Sequence, residues 1–350
     1  MYGYGQHGIG GEWLSRKSRL RKRDVLVISV AVLLVLTGLY LGAQWLENES
    51  ASPEPRGDYR LRYQDQQLTV NGHTYRQRNN LTTILFMGID QDENAEEVPA
   101  YLSYLNGGQA DFLRLMVIDP LEKTITQIEI DRDTMTPITM IGTMGGKLGY
   151  RTAQISLSHG FGDGKEQSCG FTVEAVSNLL YDMPIKYYAA MNLDGISVLN
   201  DVLGGVKVTL EDDFSHLDPA MTKGTTLTLV GDQAEIFVRS RMSVGVGTNE
   251  ARMARQQQYI NSLTELLNQK IHESNEFIGS LFDSLSPYLC TNMSRAQMVN
   301  EAWSFKDYTR LPLVSINGVH QVGDDGYMQF LPDDSSLEQV ILDVFYKKVK

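Results

Sequence analysis

Cysteine, histidine and the spacings of metal sites are scarce in this sequence. Its 350 residues include two cysteines, Cys169 and Cys290, and six histidines, none of them in a C-x-x-C or H-E-x-x-H pattern. A zinc site and a disulfide-rich scaffold therefore have no support. Two alternatives stay open for the cysteines, which either form one long-range disulfide or remain as two buried thiols.

Basic charge is also in deficit, and no nucleotide-binding phosphate loop is present. The chain carries 31 Lys and Arg against 43 Asp and Glu, a formal net charge of −12. Nucleic-acid binding needs a broad basic face, so nucleic acid is not an expected partner. Lys147 and Lys165 each follow a glycine, but they lack the upstream glycine and the following Ser or Thr of a P-loop. We interpret residues 142–149 and 159–164 as glycine-rich loops without a nucleotide.

One long hydrophobic run is present, from Val25 to Leu46, and it contains no charged residue. As a helix it would span roughly 30 Å, the thickness of the hydrocarbon core of a bilayer. Six basic residues lie between Arg16 and Arg23, and by the positive-inside rule they keep residues 1–24 in the cytoplasm. A cleaved signal peptide is the alternative, but the run exceeds the usual apolar core of such a peptide and no A-x-A site follows. We therefore predict a single-pass membrane protein whose main domain is extracytoplasmic.

The remainder of the chain divides by composition and pattern into three parts. Residues 47–78 predict a polar linker followed by a β-hairpin that turns at Asn71-Gly72. Over residues 79–270, short apolar strands alternate with amphipathic helices, which predicts an α/β domain with a sheet between helices. Three helical patterns in residues 271–350 predict a helical C-terminal extension.

Acidic residues stand at the ends of the predicted strands of this domain. The apolar segment Leu81 to Met87 leads into Asp90, and Asp111 begins the next predicted strand. A third strand, Thr124 to Ile130, is followed directly by Asp131-Arg132-Asp133. We expect the first of these strands to be buried and to deliver a carboxylate at its carboxyl end.

Four arginines crowd into a short stretch of this acidic chain: Arg239, Arg241, Arg252 and Arg255. Residues 1–46 carry a net charge of +4, which leaves −16 for the rest, so the cluster is a local exception. Planar guanidinium groups bind phosphate oxygens well, and these four indicate a phosphate ligand. The alternative is that these arginines form a charged, solvent-exposed helix face, but that does not explain Arg239 and Arg241.

Arg252 and Arg255 lie at the start of a predicted amphipathic helix from Asn249 to Lys270. Arg252, Arg255 and Gln256 share part of one helical face. The positive end of the helix dipole adds to the attraction for an anion there.

Taken together, these segments resemble one family, the LytR-CpsA-Psr proteins, which are membrane-anchored phosphotransferases of the Gram-positive cell envelope. The resemblance covers about residues 79–268 and rests on seven short segments in the family's order: Ile84–Asp90, Ala110–Asp111, Arg132–Thr134, Ile185–Asn192, Leu203–Val208, Val238–Arg241 and Arg252–Gln256. It implies an α/β fold with a mixed central β-sheet sandwiched by helices, preceded by one N-terminal transmembrane helix.

The resemblance also implies an activity and its partners. Such a protein transfers a glycopolymer, for example a teichoic acid, from a polyprenyl-pyrophosphate carrier in the membrane to peptidoglycan. By the same resemblance, Asp111 binds Mg²⁺, for which Mn²⁺ can substitute, and an apolar pocket between sheet and helices holds the lipid tail. The pyrophosphate-binding residues are then Arg132, Arg239, Arg241, Arg252 and Gln256.

The chemistry of the residues agrees with that role. Attack of a hydroxyl on a pyrophosphate adds negative charge, which arginines and one divalent cation stabilise. We expect Arg132, Arg239 and Arg241 to act in catalysis, with Asp90 orienting or deprotonating the acceptor hydroxyl. Asp90 capping a turn at the strand end is the alternative.

Four positions depart from the family's usual pattern. Gln109, Phe112, Gln154 and Asn249 stand where the family usually has Arg, Thr, Lys and Asp. Two further functions are therefore kept beside the transferase: a non-catalytic envelope protein that binds lipid-linked glycans, and a hydrolase of polyprenyl pyrophosphate.

Overall fold

The computed structural model describes residues 67–90, 107–142, 146–240, 244–245 and 249–349. The predicted anchor 25–46, the tail before it and most of the linker lie outside these residues. Within the part of the chain that is described, no helix combines the length and apolarity needed to cross a bilayer.

Sixteen strands occur in the described residues. In chain order they are β1 (Gln67–Val70), β2 (His73–Gln77), β3 (Thr82–Asp90), β4 (Gln109–Asp119), β5 (Thr124–Ile130), β6 (Met135–Ile141), β7 (Lys147–Gln154), β8 (Tyr187–Asn192), β9 (Lys207–Thr209), β10 (Thr226–Thr228), β11 (Leu289–Thr291), β12 (Thr309–Arg310), β13 (Val314–Ser315), β14 (Gly318–Val322), β15 (Met328–Pro332) and β16 (Tyr346–Lys348).

Seven α-helices accompany them. They are α1 (Glu166–Leu179), α2 (Asp194–Val202), α3 (Gln233–Arg239), α4 (Asn249–Glu273), α5 (Asn275–Leu285), α6 (Arg295–Phe305) and α7 (Asp334–Phe345).

A mixed sheet of seven strands forms the centre of the fold. Its strand order is β11-β8-β3-β4-β5-β12, and β13 also pairs with β5. The pairs β3–β4 and β4–β5 are antiparallel, whereas β3–β8 is parallel. The prediction of a mixed central sheet in an α/β fold is confirmed.

Helices cover both faces of this sheet because side chains alternate along its strands. On one face, Leu85 of β3 belongs to a buried cluster that includes Val176 of α1 and Ile341 of α7. On the other face, its neighbour Ile84 packs in a cluster with Phe305 of α6. The helices therefore sandwich the sheet, as expected.

The predicted hairpin at Asn71-Gly72 is present between β1 and β2. Both turn residues have positive φ, 50° for Asn71 and 78° for Gly72. Asn and Gly are the residues that adopt this region most readily, which is why the pair could be recognised in the sequence.

Two regions differ from the sequence-based expectation. Part of the stretch 142–149, interpreted as a loop, belongs to strand β7, which forms a hairpin with β6. Residues 271–350 contain the three predicted helices, but strands lie between and after them: β11, β12 and β13 extend the central sheet, and β16, after the last helix, pairs with β2. A purely helical extension was therefore an incomplete description. Strands of two or three residues have too few positions for a period-two pattern to show.

Both cysteines are free thiols that pack against the main core, Cys169 fully buried and Cys290 half-buried. The sequence left open a disulfide or two thiols, and the structure shows two thiols.

Candidate active site

Two neighbouring strand ends bring acidic and amide side chains together. Asp90 is the last residue of β3 and pairs in register with Gln109, the first residue of β4. Along the two strands the pairing passes from Phe112 directly to Ala110, so Asp111 is the extra residue of a β-bulge. Bulges re-aim a side chain locally. The side chain of Asp111 therefore departs from the regular alternation of side chains between the two sheet faces, at the same end of the strand pair as Asp90.

Arg132 lies in the turn after β5 and reaches this edge. Its guanidinium donates Nη2–H to Gln109 Oε1 at 2.8 Å and forms an ion pair through Nη1 with Asp111 Oδ1. Its Nε atom lies 3.5 Å from Asp133 Oδ1. The turn itself is held by Asp131, whose Oδ1 accepts the backbone N–H of Asp133 at 2.8 Å. The planar fork is thus oriented by acceptors from β4 and from its own turn.

The carboxylate of Asp111 is held in an unfavourable environment for a charge. Burial raises its pKa above the ordinary value, the positive charges of Arg132 and Arg252 oppose this rise, and the negative charges of Asp90 and Asp133 add to it. Burial likewise raises the pKa of Asp133. Carboxylates from two strand ends and a turn therefore share one site with two arginines from distant parts of the chain.

These carboxylates also fit a divalent cation. Asp111 and Asp90 supply hard oxygen donors, and the Oδ1 atom of Asp111 is buried. Among the described residues no group of three or more His, Cys, Asp or Glu side chains forms a complete metal cage. Mg²⁺ is commonly bound by one or two carboxylates, with substrate phosphates completing its coordination. The donor set suits that mode of binding.

The arginine-rich segment lies where α3 meets α4. Arg239 is the last residue of α3 and donates to Glu235, one turn earlier, at 2.5 Å. Gln256 of α4 donates Nε2–H to the carbonyl of Val238 at 3.1 Å. Arg241 lies outside the described residues. Arg252, three residues into α4, is the member of this segment whose charge acts on Asp111.

Arg255 has a different position from the other arginines. It is 5% exposed, pairs with Asp212 at 2.9 Å, and donates to the backbone carbonyls of Phe237 and Ser240. Its guanidinium also lies 5.5 Å from the ring centroid of Phe214. It therefore fastens the end of α3, which carries Arg239, onto α4.

This supporting role of Arg255 was not predicted, although the sequence contains one signal for it. Tyr259 follows Arg255 by one helical turn and is buried, 4% exposed. An arginine on the buried stripe of a helix needs a carboxylate or carbonyl partner, so it is expected to support structure rather than to face a ligand.

The structure thus brings Asp90, Asp111, Arg132 and Arg252 into one electrostatic group. Gln256 instead binds the backbone of α3, and Arg239 binds Glu235 of its own helix. The roles assigned to these residues remain predictions.

The four departures from the family's usual pattern have visible surroundings. Gln109 accepts a hydrogen bond from Arg132. An arginine at position 109 would instead repel Arg132. The ring of Phe112 lies 5.2 Å below the guanidinium of Arg114. Gln154 donates to the carbonyl of Met328 at 3.1 Å, and Asn249 begins α4.

We expect Gln109→Leu to lower the catalytic rate at this site about tenfold. Removal of a group that orients a functional side chain commonly lowers activity 10- to 100-fold. Leucine fills a similar volume but cannot accept from Arg132. Steady-state kinetics and thermal unfolding of the variant check this. Gln127→Leu is the matched control, because it removes an amide oxygen that accepts from Arg114 at 3.5 Å in the same sheet. Equal activities of the two variants would contradict the role of Gln109.

A groove of about 680 Å³ lies along the outer side of α1, where Tyr150, Phe171 and Glu174 line it. Its lining is polar as well as apolar, with Glu174 bound by Lys147 Nζ at 2.6 Å. The apolar pocket for a lipid tail remains a prediction.

Comparison with known proteins adds an independent line of information. A family model described as the LytR_cpsA_psr family matches residues 49–343. The chain is 26% identical over 271 residues to the polyisoprenyl-teichoic acid–peptidoglycan teichoic acid transferase TagU of Halalkalibacterium halodurans, covering 76% of each chain. It is 26% identical to the TagU protein of Bacillus subtilis, covering 71% of this chain and 72% of that one.

Solved structures share the fold. Protein gbs0355 from Streptococcus agalactiae superposes with a TM-score of 0.60 at 20% identity, covering 77% of this chain and 90% of that one. The TagV protein of Bacillus subtilis superposes with a TM-score of 0.56 at 24% identity, covering 76% of this chain and 96% of that one.

Proposed function

This chain belongs to the LytR_cpsA_psr family, and from that premise we propose that it transfers a glycopolymer from a polyprenyl-pyrophosphate carrier to peptidoglycan. Curated relatives over most of its length are named as transferases of teichoic acid from a polyisoprenyl carrier to peptidoglycan. The observation that carries the proposal is the convergence of Arg132 and Arg252 on the carboxylates at the ends of β3 and β4. Such a site suits a pyrophosphate, not a neutral sugar alone.

The proposed reaction is a phosphoryl transfer. A hydroxyl oxygen of peptidoglycan bonds to the phosphorus that bears the glycan, and the bridging bond to the second phosphorus breaks. Polyprenyl phosphate leaves, and the hydroxyl loses its proton. Negative charge grows on the phosphoryl oxygens during this step, and preorganised guanidinium groups lower its cost.

Individual residues take distinct parts in this proposal. Arg132, oriented by Gln109 and Asp133, and Arg252 at the positive end of α4 bind the pyrophosphate. Arg239, Arg241 and Gln256 extend the site from the α3–α4 segment. Asp90 is the last residue of β3 and would orient or deprotonate the acceptor hydroxyl.

Asp111, with Asp90 beside it, would hold Mg²⁺. The bound cation would supply Lewis-acid stabilisation of the phosphoryl oxygens. The ion pair between Asp111 and Arg132 keeps these two side chains together.

The membrane part of the proposal rests on the sequence of residues 25–46, which we propose to anchor the chain with its main domain outside the cytoplasm. One feature of the sheet agrees with a lipid substrate. Phe86, in the middle of the central strand β3, is 37% exposed, so part of an apolar sheet face is uncovered by the described residues. Exposed apolar surface at this position suits an apolar ligand.

The experiment uses the full-length chain in vesicles that contain a polyprenyl-pyrophosphate-linked teichoic acid precursor, with peptidoglycan fragments and Mg²⁺ added. We expect a glycan–phosphate–peptidoglycan product and free polyprenyl phosphate. Release of phosphate products without transfer would instead establish a hydrolase. Binding of the precursor without turnover would establish a non-catalytic glycan-binding protein.

A further inference from the structure

A hairpin from the end of the chain contacts the turn that carries Arg132. Strands β14 and β15 form this two-stranded hairpin outside the central sheet. The backbone N–H of Phe330 donates to the carbonyl of Asp133 at 2.8 Å, and Phe330 also forms a parallel bridge with Thr134. The side chain of Phe330 is buried, whereas most of the hairpin is exposed. The hairpin therefore attaches to the molecule through the segment that begins at Asp131 and through Gln154 of β7, whose side chain donates to the carbonyl of Met328.

His320 of β14 makes the side-chain contact at this attachment. Its Nε2 lies 2.9 Å from Oδ2 of Asp131, and its ring centroid lies 4.8 Å from that of Phe330. The other oxygen of Asp131 accepts the N–H of Asp133 within the turn. Both oxygens of one carboxylate are thus used, one to shape the turn and one to bind the hairpin.

The position of Asp131 makes this contact relevant to the site. Asp131 directly precedes Arg132, whose guanidinium is the group that contacts Gln109 and Asp111. A rotation of the Asp131 carboxylate would release the N–H of Asp133 and move the turn. A side chain that holds Asp131 Oδ2 therefore limits the positions available to Arg132.

We propose that His320 is a positioning residue, which orients Arg132 for pyrophosphate through its hydrogen bond to Asp131. The inference rests on the proposed function and adds the C-terminal hairpin to the site. His320 is half-exposed and Asp131 is 22% exposed, and a hydrogen-bonded pair that lies partly in solvent contributes little to global stability. Loss of this hydrogen bond should therefore change kcat/KM and the affinity for pyrophosphate, and should leave the unfolding temperature unchanged.

Two substitutions in the full-length chain separate the hydrogen bond from the packing. His320→Phe keeps an aromatic ring against Phe330 but has no donor for Asp131. His320→Gln keeps an N–H donor at a similar distance from the backbone. We expect kcat/KM for glycopolymer transfer, and the affinity for farnesyl pyrophosphate measured by calorimetry, to fall about tenfold in the first variant. Both should stay within about twofold of the wild type in the second.

His272→Phe is the control, because His272 also pairs with an aspartate, Asp307, at 3.1 Å, and this pair is the more exposed of the two. It lies at the other end of α4 from Arg252, and we expect wild-type transfer and affinity. All three variants should unfold at the wild-type temperature.

The outcomes are distinguishable. Wild-type values for His320→Phe, equal losses in His320→Phe and His320→Gln, or a loss matched by a lowered unfolding temperature would each overturn the positioning role. If the wild type binds farnesyl pyrophosphate but transfers no glycan, the proposed function fails. The affinities of the variants then still decide the role of His320.

Discussion

Asp111→Asn is expected to reduce glycopolymer transfer by at least about 100-fold, comparable to the loss of one preorganised group from an active site. The variant is nevertheless expected to unfold at a higher temperature than the wild type at neutral pH. Asparagine has nearly the same shape but removes the charge that burial disfavours. It also removes the ion pair with Arg132 and the oxygen that would hold a cation. Transfer kinetics and thermal unfolding measure the two effects.

The pH dependence of stability gives this prediction its sign. The pKa of Asp111 is raised in the folded state above the ordinary value of 3.8, mainly by burial, so the folded protein binds a proton more tightly than the unfolded chain does. Below 3.8 both states are protonated and the penalty is absent. As the pH rises through the raised folded pKa, the wild type loses stability and Asp111→Asn does not. The difference in unfolding temperature should therefore open across that window.

A surface aspartate whose pKa is shifted in the opposite direction provides the control. Asp283 is exposed, and its hydrogen bond from Arg295 lowers its pKa. Asp283→Asn should retain wild-type transfer and should show no stabilisation at neutral pH. A destabilised Asp111→Asn would contradict the unfavourable burial of this carboxylate, and a variant that transfers glycan at the wild-type rate would remove Asp111 from the site.

Arg255→Ala is expected to lower the free energy of unfolding by about 3–5 kcal/mol, the usual cost of breaking a buried ion pair by removing one partner. The carboxylate of Asp212, 20% exposed, would lose its partner, and the carbonyls of Phe237 and Ser240 would lose their donor. The space beside Phe214 would also be emptied. Transfer should fall with stability, because the end of α3 that carries Arg239 would lose its hydrogen bonds from Arg255 and keep only the one from Gln256 to Val238. Urea unfolding followed by circular dichroism measures the change.

Two further variants sharpen this test. Arg255→Lys keeps the charge but cannot reproduce the planar fork, so it should lie between the wild type and the alanine variant. Arg295→Ala removes an arginine whose partner, Asp283, is exposed, and it should leave the unfolding curve unchanged. If Arg255→Ala and Arg295→Ala unfold alike, Arg255 does not support this segment.

Several elements could be predicted because their causes are local. The Asn71-Gly72 turn follows from the φ angles that these two residues tolerate. Strand β5 from Thr124 to Ile130 follows from a run of β-branched and apolar residues bounded by turn residues. The last helix begins at a local cap, in which Asp333 accepts the N–H of Ser336 at 2.8 Å.

Other features depend on residues far apart in the chain. The bulge at Asp111 exists only in the pairing of β4 with β3, and no sequence pattern within β4 marks it. The short strands β12 and β13 form because β5 presents unpaired backbone groups to them. Arg255 was grouped with the phosphate-binding arginines because its partner Asp212 lies 43 residues away in sequence.

By itself, then, the sequence determined the α/β architecture, the residue types suited to a pyrophosphate and the family to which the chain belongs. Each of these depends on local propensity, on the spacing of apolar residues or on short motifs, all of which can be seen in a one-dimensional chain. Only the tertiary structure decided that Arg132 is held by Gln109 and Asp111, that Arg255 is a support and that His320 contacts the Arg132 turn. These facts depend on which backbone segments pack together, and that is set by the burial of the whole core.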